Sequence, residues 1–113
     1  MTGEVFAAMR RHTILGRLMK EGPDNEEAFA KGVNAALADP AGFLHRIFST
    51  RSLGLFGEMP AEHLSSYLSG QVIGTEVAHA IRSHAKDARY LILASPGIGG
   101  RYEKAMQIAG LSA

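Results

Sequence analysis

The chain has 113 residues, with 46% apolar and 20% charged side chains and a net charge of +1. That length allows one small domain; it is too apolar for a disordered tail and too short for two independent cores. Twelve basic against eleven acidic residues argue against a large electrostatic contact with nucleic acid or anionic lipid, and the absence of cysteine excludes disulfide scaffolds, thiol catalysis and Cys-based zinc sites.

The start, Met1-Thr2-Gly3-Glu4, has no basic segment ahead of an apolar run, so no targeting signal is expected there. No apolar stretch is long enough to cross a membrane. A cytoplasmic location is the default expectation.

Residues 4–20 predict a helix, with Val5, Met9, Leu15 and Leu18 near one face and Arg10, Arg11, Arg17 and Lys20 toward its end. Gly22-Pro23 stops it. Asp24 is placed to cap the next helix, with Glu27 at the capping-box position. Phe29, Val33, Ala36 and Leu37 then form an apolar stripe. Asp39-Pro40 ends it, because a residue before proline avoids the helical region. A shorter helix is expected over 41–50, its apolar face made of Phe43, Leu44, Ile47 and Phe48, with His45, Arg46 and Arg51 polar. Residues 52–59 hold Gly54 and Gly57 and predict a loop or short extended piece.

Pro60 suits the first turn of a long helix reaching about Ala85. This helix is apolar on more than one side (Leu64, Leu68, Val72, Ile73, Val77, Ile81) and is expected to be the central buried one. On it Ser66, Gly70, Gly74 and Ala78 recur every four residues, a face of small side chains. Each interior glycine costs roughly 1 kcal/mol relative to alanine. Close approach of another backbone, or of a ligand, would offset that cost.

After Lys86-Asp87-Ala88, residues 90–94 (Tyr-Leu-Ile-Leu-Ala) form a short continuous apolar run that predicts a strand buried on both faces. Ser95-Pro96-Gly97-Ile98-Gly99-Gly100 is then expected as a loop, and residues 101–109 as a final helix closed by Gly110. The reading is an α/β class with about five helices and one strand. A doubly buried strand needs partners for its backbone groups. The one weak candidate within the chain is residues 52–56, interrupted by Gly54. The sheet is therefore expected to come from another polypeptide segment, and the ending Leu111-Ser112-Ala113 is compatible with a chain that continues into a further strand.

The glycine-rich turn after the strand is the best site candidate. Gly97, Gly99 and Gly100 would let a ligand approach the backbone, and N–H groups at a helix start favour anions. The pattern is neither a P-loop nor G-x-G-x-x-G. Histidines 12, 45, 63, 79 and 84 lack helical ligand spacing, so no metal site is expected. Glu4, Glu76 and Asp87 are too far apart in sequence to argue a carboxylate pair. Ser65, Ser66, Ser69 and Ser95 lack a visible base.

Several separated stretches together resemble the 2-dehydro-3-deoxygalactonokinases, sugar-acid kinases of the actin-like superfamily. They are Met1-Thr2-Gly3-Glu4; Phe43-Leu44 with Ile47-Phe48 and Arg51; Leu53, Gly57 and Pro60; Tyr67-Leu68-Ser69-Gly70 with Ile73-Gly74 and Glu76; Ser95-Pro96; and Arg101-Tyr102. The resemblance implies a helix-dominated part of a ribonuclease-H-like lobe, residues 1–113 being a single-domain fragment from the C-terminal lobe of a two-lobed enzyme. It implies ATP in a cleft, Mg²⁺ on the phosphates and transfer of the γ-phosphoryl group to the terminal hydroxyl of 2-dehydro-3-deoxy-D-galactonate. Ser95, Pro96 and Gly97 would lie beside the adenosine, and the face bearing Gly70 and Gly74 near the nucleotide. The superfamily often has paired glycines directly after this strand; here Ala94-Ser95 stand there.

The Asp-Trp-Gly and Pro-Gly-Thr-His phosphate segments of that family are absent from these residues, and the catalytic base would lie upstream. The isolated chain is thus expected to be inactive. The expected partners are ATP and a sugar acid, with no nucleic acid and no membrane; a homo-oligomer is compatible with the sequence. The competing reading is a self-contained helical interaction module. That module should bury its own apolar faces, whereas a fragment should expose an apolar patch where missing strands belong.

Overall fold

The computed structural model describes residues 1–84 and 88–111. The helices are α1 (Thr2–His12), α2 (Glu26–Ala38), α3 (Phe43–Ile47), α4 (Ser49–Leu55), α5 (Leu64–Ser83) and α6 (Pro96–Ile108), with single 3₁₀ turns at Ile14–Gly16 and Ala61–His63. No strand is present among the described residues. The end of the long helix at Ala85, the turn at Lys86-Asp87 and the tail Ser112-Ala113 lie outside them.

Helix α5 is the central element, as its all-round apolar pattern predicts: twelve of its residues are buried. Its main partner is α2. The two backbones touch through glycines. A Cβ on Gly70 would stand 2.2 Å from the Phe29 carbonyl oxygen, and one on Gly32 would stand 2.2 Å from the Tyr67 carbonyl oxygen. A Cβ on Gly74 would meet Ala36 Cβ at 2.9 Å. The small-residue face thus serves close approach of a second backbone. Side chains beside the crossing (Phe29, Val33, Ile73 and Val77) join Ala105 and Met106 of α6 in one core cluster. Burial of a large apolar side chain stabilises by roughly 1.5–3 kcal/mol. Several such residues at one crossing exceed the roughly 1 kcal/mol that each glycine costs a helix.

The first helix ends earlier than its apolar stripe suggests. Thr13 turns extended (φ −127, ψ 167), and its hydroxyl accepts from the Leu15 amide. The chain folds back, and this reversal buries Leu15 against Ile47, Leu68 and Val72. Asn25, not Asp24, caps α2: its Oδ1 accepts from the Ala28 N–H at 2.8 Å. Asp24 instead meets Arg101 at 3.0 Å. The helix expected over 41–50 is two helices that reach Leu55, so residues 52–55 are helical and could not have partnered a strand. Ser49 marks the break; its hydroxyl donates to the Arg46 carbonyl oxygen at 2.7 Å, a local competitor of the helical bond. Leu44 and Phe48 are 80% and 52% exposed, so only Phe43 and Ile47 of the expected apolar face reach the core.

The strand expectation is corrected for this chain. Residues 90–94 are neither helical nor laddered. Tyr90 and Ile92 pack on the α2–α5–α6 core, while Leu91 and Leu93 are 84% and 87% exposed. A strand needs a neighbour to hydrogen-bond, and the described residues supply none. The expected loop over 95–100 is also corrected. Helix α6 begins at Pro96, whose missing N–H and fixed φ suit the first helical position. Gly110 does close the chain's last helix, at φ +80: the Leu111 amide donates to the Met106 carbonyl at 2.8 Å and the Gly110 amide to Gln107 at 3.0 Å.

Candidate functional site

The start of α6 is the most open helix end in the region the sequence singles out. Ser95 precedes it in an extended conformation and makes no side-chain cap. The first helical bond runs from the Gly99 amide to the Ser95 carbonyl at 2.8 Å, so the N–H groups of Gly97 and Ile98 point out of the helix without an intrahelical acceptor. Ser95, Pro96 and Gly97 are all exposed. A Cβ on Gly97, Gly99 or Gly100 would meet nothing within 4 Å. These glycines differ in kind from Gly32, Gly70 and Gly74, whose missing side chains are matched by neighbouring backbone. At the start of α6 no group of the described residues uses the space.

Two concavities flank this helix start. One, of about 400 Å³, has a mixed polar and apolar lining and reaches from Gly97 and Gly100 to Phe29 of α2 and to Ser65, Ser66 and Ser69 of α5. Its rim carries three ion pairs: Arg101 with Asp24 at 3.0 Å, Lys104 with Glu26 at 2.7 Å, and Arg10 with Glu21 at 3.1 Å. Such exposed pairs contribute about 0–1 kcal/mol each. They cancel one another's charge, so the rim has little net field to attract an anion. Ser66 is committed to structure, since its hydroxyl accepts from the Asn25 N–H at 3.0 Å.

The other concavity, of about 440 Å³, is lined by residues 90–94 together with Ile98, Tyr102 and Met106. Its polar corner is a short relay. The Thr2 hydroxyl donates to the Tyr102 oxygen, and the Tyr102 hydroxyl donates to Glu76 Oε2. Burial, and then the hydrogen bond to the Glu76 carboxylate, push the Tyr102 hydroxyl up to about 12. Tyr102 therefore stays a proton donor across the neutral range. The Tyr90 hydroxyl is buried and has no hydrogen-bond partner among the described residues.

The structure brings Ser95, Pro96 and Gly97 together and leaves them accessible. It places Gly70 and Gly74 elsewhere: both are buried under α2, and neither lines the two concavities. Nucleotide contact at Gly70 and Gly74 does not fit, because the helix packed there already fills the space. Among the described residues no three His, Asp or Glu side chains converge on a point that could hold a metal.

Sequence reasoning missed a buried polar network. Arg46, expected on a polar face, is 8% exposed. Its guanidinium donates to Gln71 Oε1 at 3.2 Å, to Thr75 Oγ1 at 3.0 Å and, through Nε, to the Asp39 carbonyl at 3.2 Å. Gln71 in turn donates to Thr50 at 3.0 Å, and both are fully buried. Burial lowers the Arg46 pKa, opposed by the nearby Asp39 charge. A signal existed: Gln71 and Thr75 stand four apart on a helix otherwise apolar on several sides, and a polar pair there needs a partner.

The described residues form a helical layer with an open helix start at α6 and an apolar run, residues 90–94, outside any helix. A family model described as 2-keto-3-deoxy-galactonokinase matches residues 1–113. The chain belongs to this family. It is 31% identical over 110 residues to the 2-dehydro-3-deoxygalactonokinase of Escherichia coli (strain K12), covering 97% of this chain and 37% of that protein. It is likewise 31% identical to the "Probable 2-dehydro-3-deoxygalactonokinase DgoK1" of Rhizobium meliloti (strain 1021), over 99% of this chain and 38% of that one. A crystal structure described as a "putative 2-dehydro-3-deoxygalactonokinase protein" from Sinorhizobium meliloti superposes with a TM-score of 0.87 at 34% identity, over 99% of this chain and 38% of its own. The chain thus spans well under half the length of these relatives. No helix among the described residues is long and apolar enough to cross a membrane.

Proposed function

We propose that these residues are part of the C-terminal lobe of an ATP-dependent kinase acting on the terminal hydroxyl of 2-dehydro-3-deoxy-D-galactonate, a lobe of the ribonuclease-H-like, actin-like kind. The names of the relatives support the sugar acid and the phosphoryl transfer. In this reading Ser95, Pro96 and Gly97 lie beside the adenosine. The observation that carries it is the open space at Gly97, Gly99 and Gly100, set at a helix start with outward N–H groups.

What these residues do is bind and orient. The outward amides of Gly97 and Ile98 offer hydrogen bonds, and the absence of side chains lets a flat or polar group lie against the helix. Positioning of this kind supplies much of the catalysis in phosphoryl transfer. ATP, when bound, supplies the γ-phosphoryl group. No metal-holding cluster is present in the described residues, so no role for Mg²⁺ is assigned to this chain's side chains. The exposure of Leu91 and Leu93 favours this reading over a self-contained helical module.

A coupled assay with ATP and the sugar acid tests both halves. The 113-residue chain alone is expected to give no turnover, while the full-length product turns over and its Gly97→Val variant shows a KM for ATP raised at least tenfold. Turnover by the isolated chain, or an unchanged KM in the variant, would refute the assignment.

A further inference from the structure

Three side chains from distant parts of the sequence meet at Tyr102. Thr2 opens α1 and Glu76 lies on α5, 100 and 26 positions from Tyr102 along the chain. The Thr2 hydroxyl donates to the Tyr102 oxygen, and the Tyr102 hydroxyl donates to Glu76 Oε2. None of the three is accounted for by nucleotide contact at Ser95, Pro96 and Gly97.

What this relay holds is the weakest part of its helix. Three of residues 96–100 are glycines, the poorest helix formers after proline. None of residues 96–100 is buried; the buried residues of α6, Ala105 and Met106, lie in its second half. Apolar burial therefore anchors the far end of the helix and not its start. The ion pairs of Arg101 with Asp24 and of Lys104 with Glu26 use solvent-exposed carboxylates, and such pairs hold weakly. Tyr102 is different. Its ring packs on the core cluster that includes Val33 and Ile73, and its hydroxyl bonds a carboxylate, one of the stronger classes of hydrogen bond. It stands one turn beyond Ile98. A helical side chain leans toward the helix N-terminus, so the ring lies over the first turn. Thr2, Ile98 and Tyr102 border one small hollow.

We propose that Tyr102 is a positioning residue: its hydroxyl, gripped between Thr2 and Glu76, fixes the glycine-rich first turn of α6 against α1 and α5, and so sets the outward amides of Gly97 and Ile98 for the nucleotide. It acts through the backbone of that turn, and the proposal rests on the reading that the nucleotide lies there.

The full-length product of the gene that encodes these residues tests it. Tyr102→Phe keeps the ring and removes the grip. It should raise the KM for ATP about fivefold and leave kcat within about twofold of the parent. Without nucleotide, the amides of Gly99 and Gly100 should exchange about tenfold faster, while those of residues 105–108 keep their rate. Glu76→Ala should do the same, whereas Glu76→Gln, which keeps an acceptor, should hold the KM near that of the parent. Gly110→Ala, a destabilising change beyond the other end of α6, should leave the KM unchanged, which separates positioning from loss of stability. Unchanged exchange at Gly99 and Gly100 in Tyr102→Phe overturns the inference. So does an unchanged KM in that variant when Gly97→Val raises it. If Gly97→Val leaves the KM unchanged as well, the nucleotide reading fails by itself, and faster exchange in Tyr102→Phe still upholds the anchor.

Discussion

Replacing Gly70 with alanine sets two effects against each other. Alanine is the better helix former, by about 1 kcal/mol. Yet the new Cβ would lie 2.2 Å from the Phe29 carbonyl oxygen, 3.0 Å from the Val33 nitrogen and 3.1 Å from Gly32 Cα. All three are backbone atoms of α2, so no side chain can swing away. Relief requires α2 and α5 to separate by close to an ångström, which loosens the packing of Phe29, Val33 and Ile73. Overpacking of this sort costs about 1–3 kcal/mol, and loss of fit across a whole crossing belongs at the upper end. The clash therefore outweighs the propensity gain, and Gly70→Ala should destabilise by about 2 kcal/mol. At roughly 5 °C per kcal/mol for a domain of this size, the melting temperature falls by about 10 °C. Gly99→Ala is the matched control. Its Cβ meets nothing, and its site is helical, so it should gain up to about 1 kcal/mol. Thermal melts of both variants followed by circular dichroism at 222 nm give the comparison. A Gly70→Ala chain as stable as the parent would refute the backbone-contact account of this face.

Three further outcomes are expected. Arg46→Met leaves Gln71 and Thr75 without their donor inside the fold, and should cost about 2–4 kcal/mol in urea unfolding; Arg46→Lys should not restore it, because an ammonium cannot reach three acceptors in a fixed fork. One of the three tyrosines, Tyr102, should titrate at about 12 by ultraviolet absorbance; in Glu76→Gln it should move down but stay above the ordinary tyrosine value, because burial, the larger cause, remains. Because the folded value is raised, this contribution to stability is full below about pH 10 and is lost as the pH rises toward 12. Gly110→Ala forces a side chain into a left-handed conformation at φ +80 and should lower stability by about 1 kcal/mol, while Gly110→Asn should lose less.

The order of residues along the chain was enough to place the helical stripes of α2 and α5, the central position of α5 and the small-residue face along Ser66, Gly70 and Gly74. These are periodic signals, and period is a local property that survives any tertiary arrangement. It also carried the family, through the order of its separated stretches. Tertiary structure alone decided what met those features. The small face of α5 was compatible with a ligand or a helix, and the position of α2 chose the helix. Arg46 was legible only as a polar residue until Gln71 and Thr75 came within hydrogen-bond reach across 25 and 29 positions of chain. Residues 90–94 show the limit most plainly: their composition is that of a strand, but a strand exists only where another segment takes up its N–H and C=O groups, and no local pattern can state whether that segment is present.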